Sequence, residues 1–335
     1  MKFNLFKVSI LGITVMSLAL LSCNSCSSDN SSNTDDSGTD YDGVVVDVES
    51  SYFYTEAGGV TITTEPCILS NGSRVDCYKI VTNSMPADHA MGPWCPHNIS
   101  DGAEAGGIWL EDGEVYDVDG AFIENMATFY NDSNWLMYDA NGDVFITDSK
   151  EDCINAANPN VSAEYKNFCV ECIPSYISDI TQTWLIPITP EYQNSGTLFA
   201  TGPGGAGVDI PSTRGLALNG IEFSAPAPTS NILSAYTLAP FDDAGGHINV
   251  HQGYHYHAAT GFGTKVEQED GHAALIGYAL DGYGIYELED VEGNVPTDLD
   301  ELRGHVDNTR GYHYHVDEAG NNNFINGLRG AYVAY

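Results

Sequence analysis

Short runs of β-branched and aromatic residues recur along the chain, broken at close intervals by Gly, Pro, Asn and Asp. Val44–Val48, Gly59–Thr64, Tyr78–Val81 and Thr183–Ile186 are such runs, and each predicts a strand. Trp135–Ile146 predicts a hairpin that turns at Asn141-Gly142. Helical periodicity is weak and is best over Ser149–Ala157 and Thr297–Leu302. The pattern predicts a mainly β protein, with sandwich- or barrel-like antiparallel sheets, long loops and little helix.

The N-terminus follows a different rule. Lys2 and Lys7 precede an apolar stretch, Val8–Leu21, that is short for a bilayer span. Leu20-Leu21-Ser22-Cys23 resembles a lipobox, where a bacterial lipoprotein is cut and its Cys acylated. Residues 1–22 then read as a signal peptide and Cys23 as the lipidated residue. Residues 23–43 are an acidic, Ser-rich tether too polar to fold. Residues 44–335 read as one β-rich domain. The expected location is the bacterial cell envelope, at the outer membrane. The lipid is the contact with the bilayer, and periplasmic and surface exposure both fit.

Eleven Lys and Arg stand against forty-seven Asp and Glu, a net charge of −36. Phosphate binding needs clustered cations, so nucleic acid is excluded as a partner. Setting aside Cys23 and Cys26, six Cys remain, which in an exported protein read as disulfides. Cys67 and Cys77 bracket the turn-like Ser70-Asn71-Gly72-Ser73 and are expected to pair. Cys169 and Cys172 form a CxxC, for which structural disulfide partners are favoured over redox or zinc chemistry. Asp139-x-Asn141-x-Asp143 opens like a calcium loop, but Val144 and Lys150 stand where Gly and Glu are needed, so a β-turn is expected.

The chemistry concentrates in histidine. Gly246–His257 recurs 58 positions later, without a gap, as Gly304–His315. Both copies keep Gly-His and an identical Gly-Tyr-His-Tyr-His. Eight of the ten His lie between His247 and His315. On a strand, His255 and His257 share one face while Tyr254 and Tyr256 share the other, and His313 and His315 repeat this against Tyr312 and Tyr314. Same-face imidazoles can converge on one ion, either as four around one site or as two sites of two each. His247 and His305 could complete the ligand sets. Asp242 and Asp300 are equivalent in the repeat and could ligate metal or orient an imidazole. His251 faces Thr309 in the second copy and ranks lower, and His97 reads as surface.

These residues resemble the YHYH family. Ser84–His89, Gly215–Gly220, Gly245–His247, Tyr254–His257, Leu275–Tyr286, Leu299–Glu301, Tyr312–His315 and Leu328–Gly330 match its segments in order, over most of the exported body. The resemblance implies a single site where the two arms of the repeat meet. It adds His89 and His272 to the candidate ligands. It implies no activity.

Three functions fit the sequence. The first is a metal-dependent enzyme, in which all-imidazole ligation suits a divalent transition ion, zinc, copper or iron over calcium or magnesium, with zinc or copper foremost. Zinc would support hydrolysis, and copper beside tyrosine would favour oxidation, with Asp281 as a candidate base or turn residue. The second is a metal-stabilised binding or adhesion module without turnover. The third is a β-rich module, binding carbohydrate or another partner, whose His are structural. The substrate expected of such an enzyme is a small molecule or a polymer.

Overall fold

The structure is a computed structural model that describes residues 43–55, 59–156, 160–200 and 211–334. The signal peptide, Cys23 and all of the tether but Gly43 lie outside the described residues. The chain is mainly β with little helix, as its residue pattern predicts.

Strands β1 (Val60–Ile68) and β2 (Arg74–Thr82) form a hairpin, and β3 (Gln182–Pro187) pairs antiparallel with β2. Gly72, at φ +89°, makes the hairpin tip, and a Cys67–Cys77 disulfide staples the strands behind it. Cys95–Cys169 and Cys153–Cys172 complete the bridges, so each Cys of the CxxC has its own structural partner.

The remaining strands of interest build one eight-stranded sheet. They are β4 (Gly215–Ala217), β5 (Glu222–Phe223), β6 (Gly246–Asn249), β7 (Gly253–Tyr256), β8 (Leu275–Ala279), β9 (Gly284–Tyr286), β10 (Gly304–Asp307) and β11 (Gly311–His315). The order across the sheet is β6-β7-β5-β4-β8-β9-β11-β10. Read outward from the central β4–β8 pair, each half repeats the same sequence of strands. The sheet is mixed, because β7 runs parallel to β5 and β11 runs parallel to β9.

The repeat is therefore a four-stranded arm rather than a twelve-residue motif, and it begins at Gly215, well before Asp242. Gly215-Leu-Ala-Leu-Asn219-Gly220 and Gly277-Tyr-Ala-Leu-Asp281-Gly282 are its matching starts, 62 positions apart, against 58 for the hairpins. Gly215 and Gly277 sit at the join. A Cβ on Gly215 would lie 2.3 Å from the Tyr278 carbonyl oxygen, and one on Gly277 would lie 2.4 Å from that of Leu216. Only glycine permits this approach of the two arms.

The sheet faces divide as strand alternation demands. Leu216, Tyr278 and Tyr286 share the histidine face. With Leu218 and Leu275 they pack against Val60, Ile80 and Trp184 of the three-stranded sheet, which covers the middle of that face. On the opposite face Tyr254, Tyr256, Tyr312 and Tyr314 enter the main core with Phe223 and Phe324.

Several expectations fail locally. Val44–Val48 is extended but joins no sheet; Val44, Val45 and Val46 are exposed, and only Val48 is buried, its N–H donating to Ile188. Trp135–Ile146 makes a turn in which Asp139 Oδ1 accepts from the N–H of Asn141 and of Asp143, with one bridge at Tyr138 and Val144 rather than paired strands. Thr297–Leu302 is not helical. Asp300 instead shapes a tight turn, in which Arg303 takes φ +70° and accepts from His315 N–H, as Gly245 at φ +83° accepts from His257 N–H in the first arm. Helix α1 (Gly120–Phe129) was not expected. Asp119 caps it by accepting from Phe122 N–H at 2.7 Å, and Phe122, Ile123 and Met126 bury one stripe. Helix α2 (Lys150–Ala156) forms where predicted. Among the described residues, no helix is long and apolar enough to cross a membrane.

The tyrosine face carries a polarity exchange between the arms. Asn219 Nδ2 donates to Tyr256 Oη at 2.8 Å and to Asp88 Oδ1 at 3.0 Å. At the equivalent place, Asp281 Oδ2 accepts from Tyr314 Oη at 2.6 Å and from Gly330 N–H at 2.8 Å. Burial raises the Asp281 carboxyl to about 6, against the pull of Tyr314 and the Gly330 and Tyr283 amides. A folded pKa above the ordinary 3.8 means the neutral acid favours the fold. That contribution is complete below about pH 3.8 and is lost as pH rises through about 6. Asp281→Asn removes this titration and turns an amide N–H toward one of the donors, at a cost of about 1–3 kcal/mol. Urea unfolding across pH 4–7 should therefore show the gap between native and variant stability largest at pH 4 and shrinking toward pH 7. A gap independent of pH would contradict the assignment.

Candidate metal centres

Each arm places its His side chains by cross-strand register. In the first arm His247 lies opposite His255, and His257 follows at the strand end; in the second His305 lies opposite His313, with His315 following. The result is two separate groups, His247/His255/His257 and His272/His305/His313/His315. The single site expected where the arms meet does not form. The two hairpins occupy opposite edges of the sheet, and each gathers its own imidazoles.

Hydrogen bonds fix the ring tautomers. In the first arm His255 Nδ1 lies 3.0 Å from the Gly253 carbonyl oxygen, and His257 Nδ1 lies 2.6 Å from that of Ala225. The second arm repeats both contacts, with His313 Nδ1 at 3.0 Å from Gly311 O and His315 Nδ1 at 2.7 Å from Glu287 O. His272 Nδ1 meets Ala273 O at 3.0 Å, and His305 Nδ1 meets Asp298 Oδ1 at 2.8 Å. A carbonyl oxygen can only accept, so the proton of each neutral ring sits on Nδ1 and leaves Nε2 as a bare lone pair.

Those lone pairs converge. His257 Nε2 lies 3.2 Å from His247 Nε2. In the second arm His305 and His313 approach to 3.0 Å, His313 and His272 to 3.1 Å, and His315 and His305 to 3.2 Å, all through Nε2. Lone pairs so placed repel unless a proton or a metal ion lies between them. Protons are disfavoured here. Burial, then the neighbouring imidazoles, lowers His247 to about 3 and drives His257 well below its ordinary value. Burial likewise lowers His313 to about 4, His315 to about 3, and both His255 and His272. The edge of a zinc-centred tetrahedron with N ligands is about 3.3 Å, close to these separations. The residues fit a transition ion.

The two centres differ in completeness. His272 arrives from the segment between the arms and gives the second centre four imidazoles. Tyr286 packs against it, with ring centroids 5.0 Å from His272 and from His313. In the first arm the place of Tyr286 is taken by Ser224 and that of Arg310 by Gln252. Three imidazoles there border a cleft of about 710 Å³, which Ser224, Gln252 and Asn249 also line. Helix α2 and the Cys153–Cys172 bridge contribute to the wall. Buried Glu222, in register with His255, accepts from Gln252 Nε2 and from Thr213 Oγ1, each at 2.7 Å.

Other candidates lie elsewhere. Asp242 accepts from Tyr254 Oη at 2.8 Å and Asp300 from Tyr312 Oη at 2.9 Å. Both shape their hairpin turns from the tyrosine side and contact no imidazole, and Asp281 does the same with Tyr314. His89 joins neither centre. Its Nδ1 meets Asp88 Oδ1 at 2.8 Å beside Tyr256, and burial of Asp88 is outweighed by hydrogen bonds from His89, Thr264 and Asn219 that hold its carboxyl well below the usual range. His251 borders the cleft and His97 is exposed. The groups that orient the imidazoles are backbone carbonyls, invisible in a side-chain pattern, together with Asp298. Asp298 stands seven residues before His305; in the first copy the matching ring, His247, is instead hydrogen-bonded by the backbone of Ala239.

Two independent centres set a stoichiometry. The full chain, titrated with Co(II) or Zn(II), should take up two equivalents; His257→Ala should remove one and His315→Ala the other. Elemental analysis of the purified variants checks this, and equal, substoichiometric metal in all three proteins would refute it.

Residues 183–294 match the family model described as YHYH protein. No curated protein and no solved structure matches the chain. The match takes in the first arm and His272 but stops short of the second hairpin, so it is narrower than the resemblance over most of the body. Over residues 183–294, the chain carries a YHYH domain.

Proposed function

We propose that this protein is a lipid-anchored enzyme of the bacterial cell envelope that performs metal-dependent hydrolysis at the three-His centre of its first arm. The observation that carries this reading is the convergence of three imidazoles beside a cleft, two of them with Nδ1 held by backbone carbonyls, where Ser224 and Gln252 stand in place of Tyr286 and Arg310. Three imidazoles and an open position suit zinc. Bound there, zinc would lower the pKa of a water molecule and polarise a carbonyl. The chain's own part is to hold the ligand rings in one tautomer, present hydrogen-bonding groups from Ser224, Gln252 and Asn249, and keep Glu222 buried beside His255. The described residues that line the cleft include no Lys, Arg, Asp or Glu, which favours an ester or amide within an uncharged substrate.

Oxidation at copper has less support. The YHYH tyrosines point to the opposite face from the imidazoles, bound to Asp242, Asn219, Asp300 and Asp281. A purely structural or adhesive metal module is the second reading, favoured by the four-ligand second centre.

In the Co(II)-substituted chain, azide should perturb the visible spectrum of the first centre. Ser224→Tyr should keep two metal equivalents yet lower kcat/KM for chromogenic esters by about a hundredfold or more, near 3 kcal/mol in barrier. Unchanged turnover in that variant, or in His255→Ala, would exclude the first centre as the reactive one.

The envelope assignment draws on the lipobox at Leu20–Cys23 and on three disulfides, which suit an oxidising compartment. Mass spectrometry of the mature protein should find an acylated Cys23 as the first residue. An unacylated N-terminus would end the lipoprotein reading.

A further inference from the structure

We propose that the second arm holds a closed, structural metal centre, and that an arginine clamp delivers its fourth ligand, His272, from the segment joining the arms. Its role is to lock that segment onto the second hairpin. It takes no part in turnover.

The argument starts with Arg310, in the hairpin turn between β10 and β11. Its side chain is only 7% exposed and lies between two carboxylates. Asp307, from the same turn, takes Nη1 at 2.5 Å. Asp270, forty residues away, pairs with Nη2. The other oxygen of Asp270 accepts from His272 N–H at 3.2 Å, so the clamp reaches the backbone of the ligand itself. Gly271 between them takes φ +82°, which turns the chain so that the imidazole faces the cluster. Nδ1 is held by Ala273 O, and Nε2 meets His313 Nε2 at 3.1 Å.

Among the described residues, the first arm lacks this clamp. Gln252 stands for Arg310 and Asn249 for Asp307, so that hairpin turn carries no Arg or Lys to capture a carboxylate. Gln252 turns inward to Glu222 and Ser224. In the second arm Gly284 replaces Glu222 and Tyr286 replaces Ser224, and the Tyr286 ring closes on His272, His313 and His315. Four protein ligands fill a tetrahedral sphere, and a filled sphere leaves no place for substrate. Arg310 acts through Asp270 and is a positioning residue. Its removal should weaken metal binding by about 10–100-fold, the effect expected of groups that orient ligands.

The test uses the full chain carrying His257→Ala, which leaves only the second centre, so its outcome is independent of activity in the first arm. Loaded with Co(II), this protein should show a four-nitrogen spectrum unmoved by azide. Chelation should lower Tm and raise amide exchange over residues 266–274. Arg310→Met should weaken Co(II) affinity about 10–100-fold and make the spectrum azide-sensitive. His272→Ala should lose more affinity and respond to azide as well. Azide sensitivity in the parent, unchanged affinity in Arg310→Met, or unchanged exchange over 266–274 on chelation would each overturn the proposal. Should His272→Ala fail to fold, the Arg310→Met and exchange measurements still decide it.

Discussion

The contact on which the candidate chemistry depends is the hydrogen bond from His Nδ1 to a backbone carbonyl. It is made by His255 and His257 in one arm and by His313 and His315 in the other, to carbonyls of the same strands and turns. Each bond fixes which nitrogen carries the proton, and therefore where the lone pair points. Because those acceptors lie in the sheet or at its strand ends, the directions of these four Nε2 atoms are as rigid as the strands. The fold thus assembles ligand directions before any ion arrives, which lessens the ordering cost of binding.

From that common base the arms diverge through a few substitutions. Tyr286 against Ser224, Arg310 against Gln252 and Gly284 against Glu222 decide whether the fourth direction is filled or left clear. The glycine pair Gly215 and Gly277 holds the arms back to back, so the two environments change independently on one scaffold. The three-stranded sheet packed on the middle of the histidine face reinforces this separation.

Much of this was legible in the sequence. Alternation in Tyr-His-Tyr-His placed the imidazoles on one face, and the gapless copy announced a second set. Cys67 and Cys77 gave their pairing away through the turn between them. The single shared site was wrong because strand order is set by pairing between distant segments. Nothing in the hairpins alone says that they lie at opposite edges. The larger repeat was missed because its two halves shift register, 62 positions at Gly215 and 58 at Gly246, although both glycine-rich starts are plain. Asp242 and Asp300 kept equivalent places for a different reason than supposed, since they hold tyrosine hydroxyls and hairpin turns. Helix α1 rests on one cap, Asp119, and a three-residue stripe, a signal too short to stand out.

The exchange of Asn219 for Asp281 has a consequence for how the two halves can change over generations. Similar repeats within one gene invite one copy to be written over the other. Here such a copying event would bury a second carboxylate next to Asp88, or would confront the Gly330 amide with another donor. Either product carries an unsatisfied or repelling pair in the core. The tyrosine side of the sheet thereby disfavours homogenisation of the two arms.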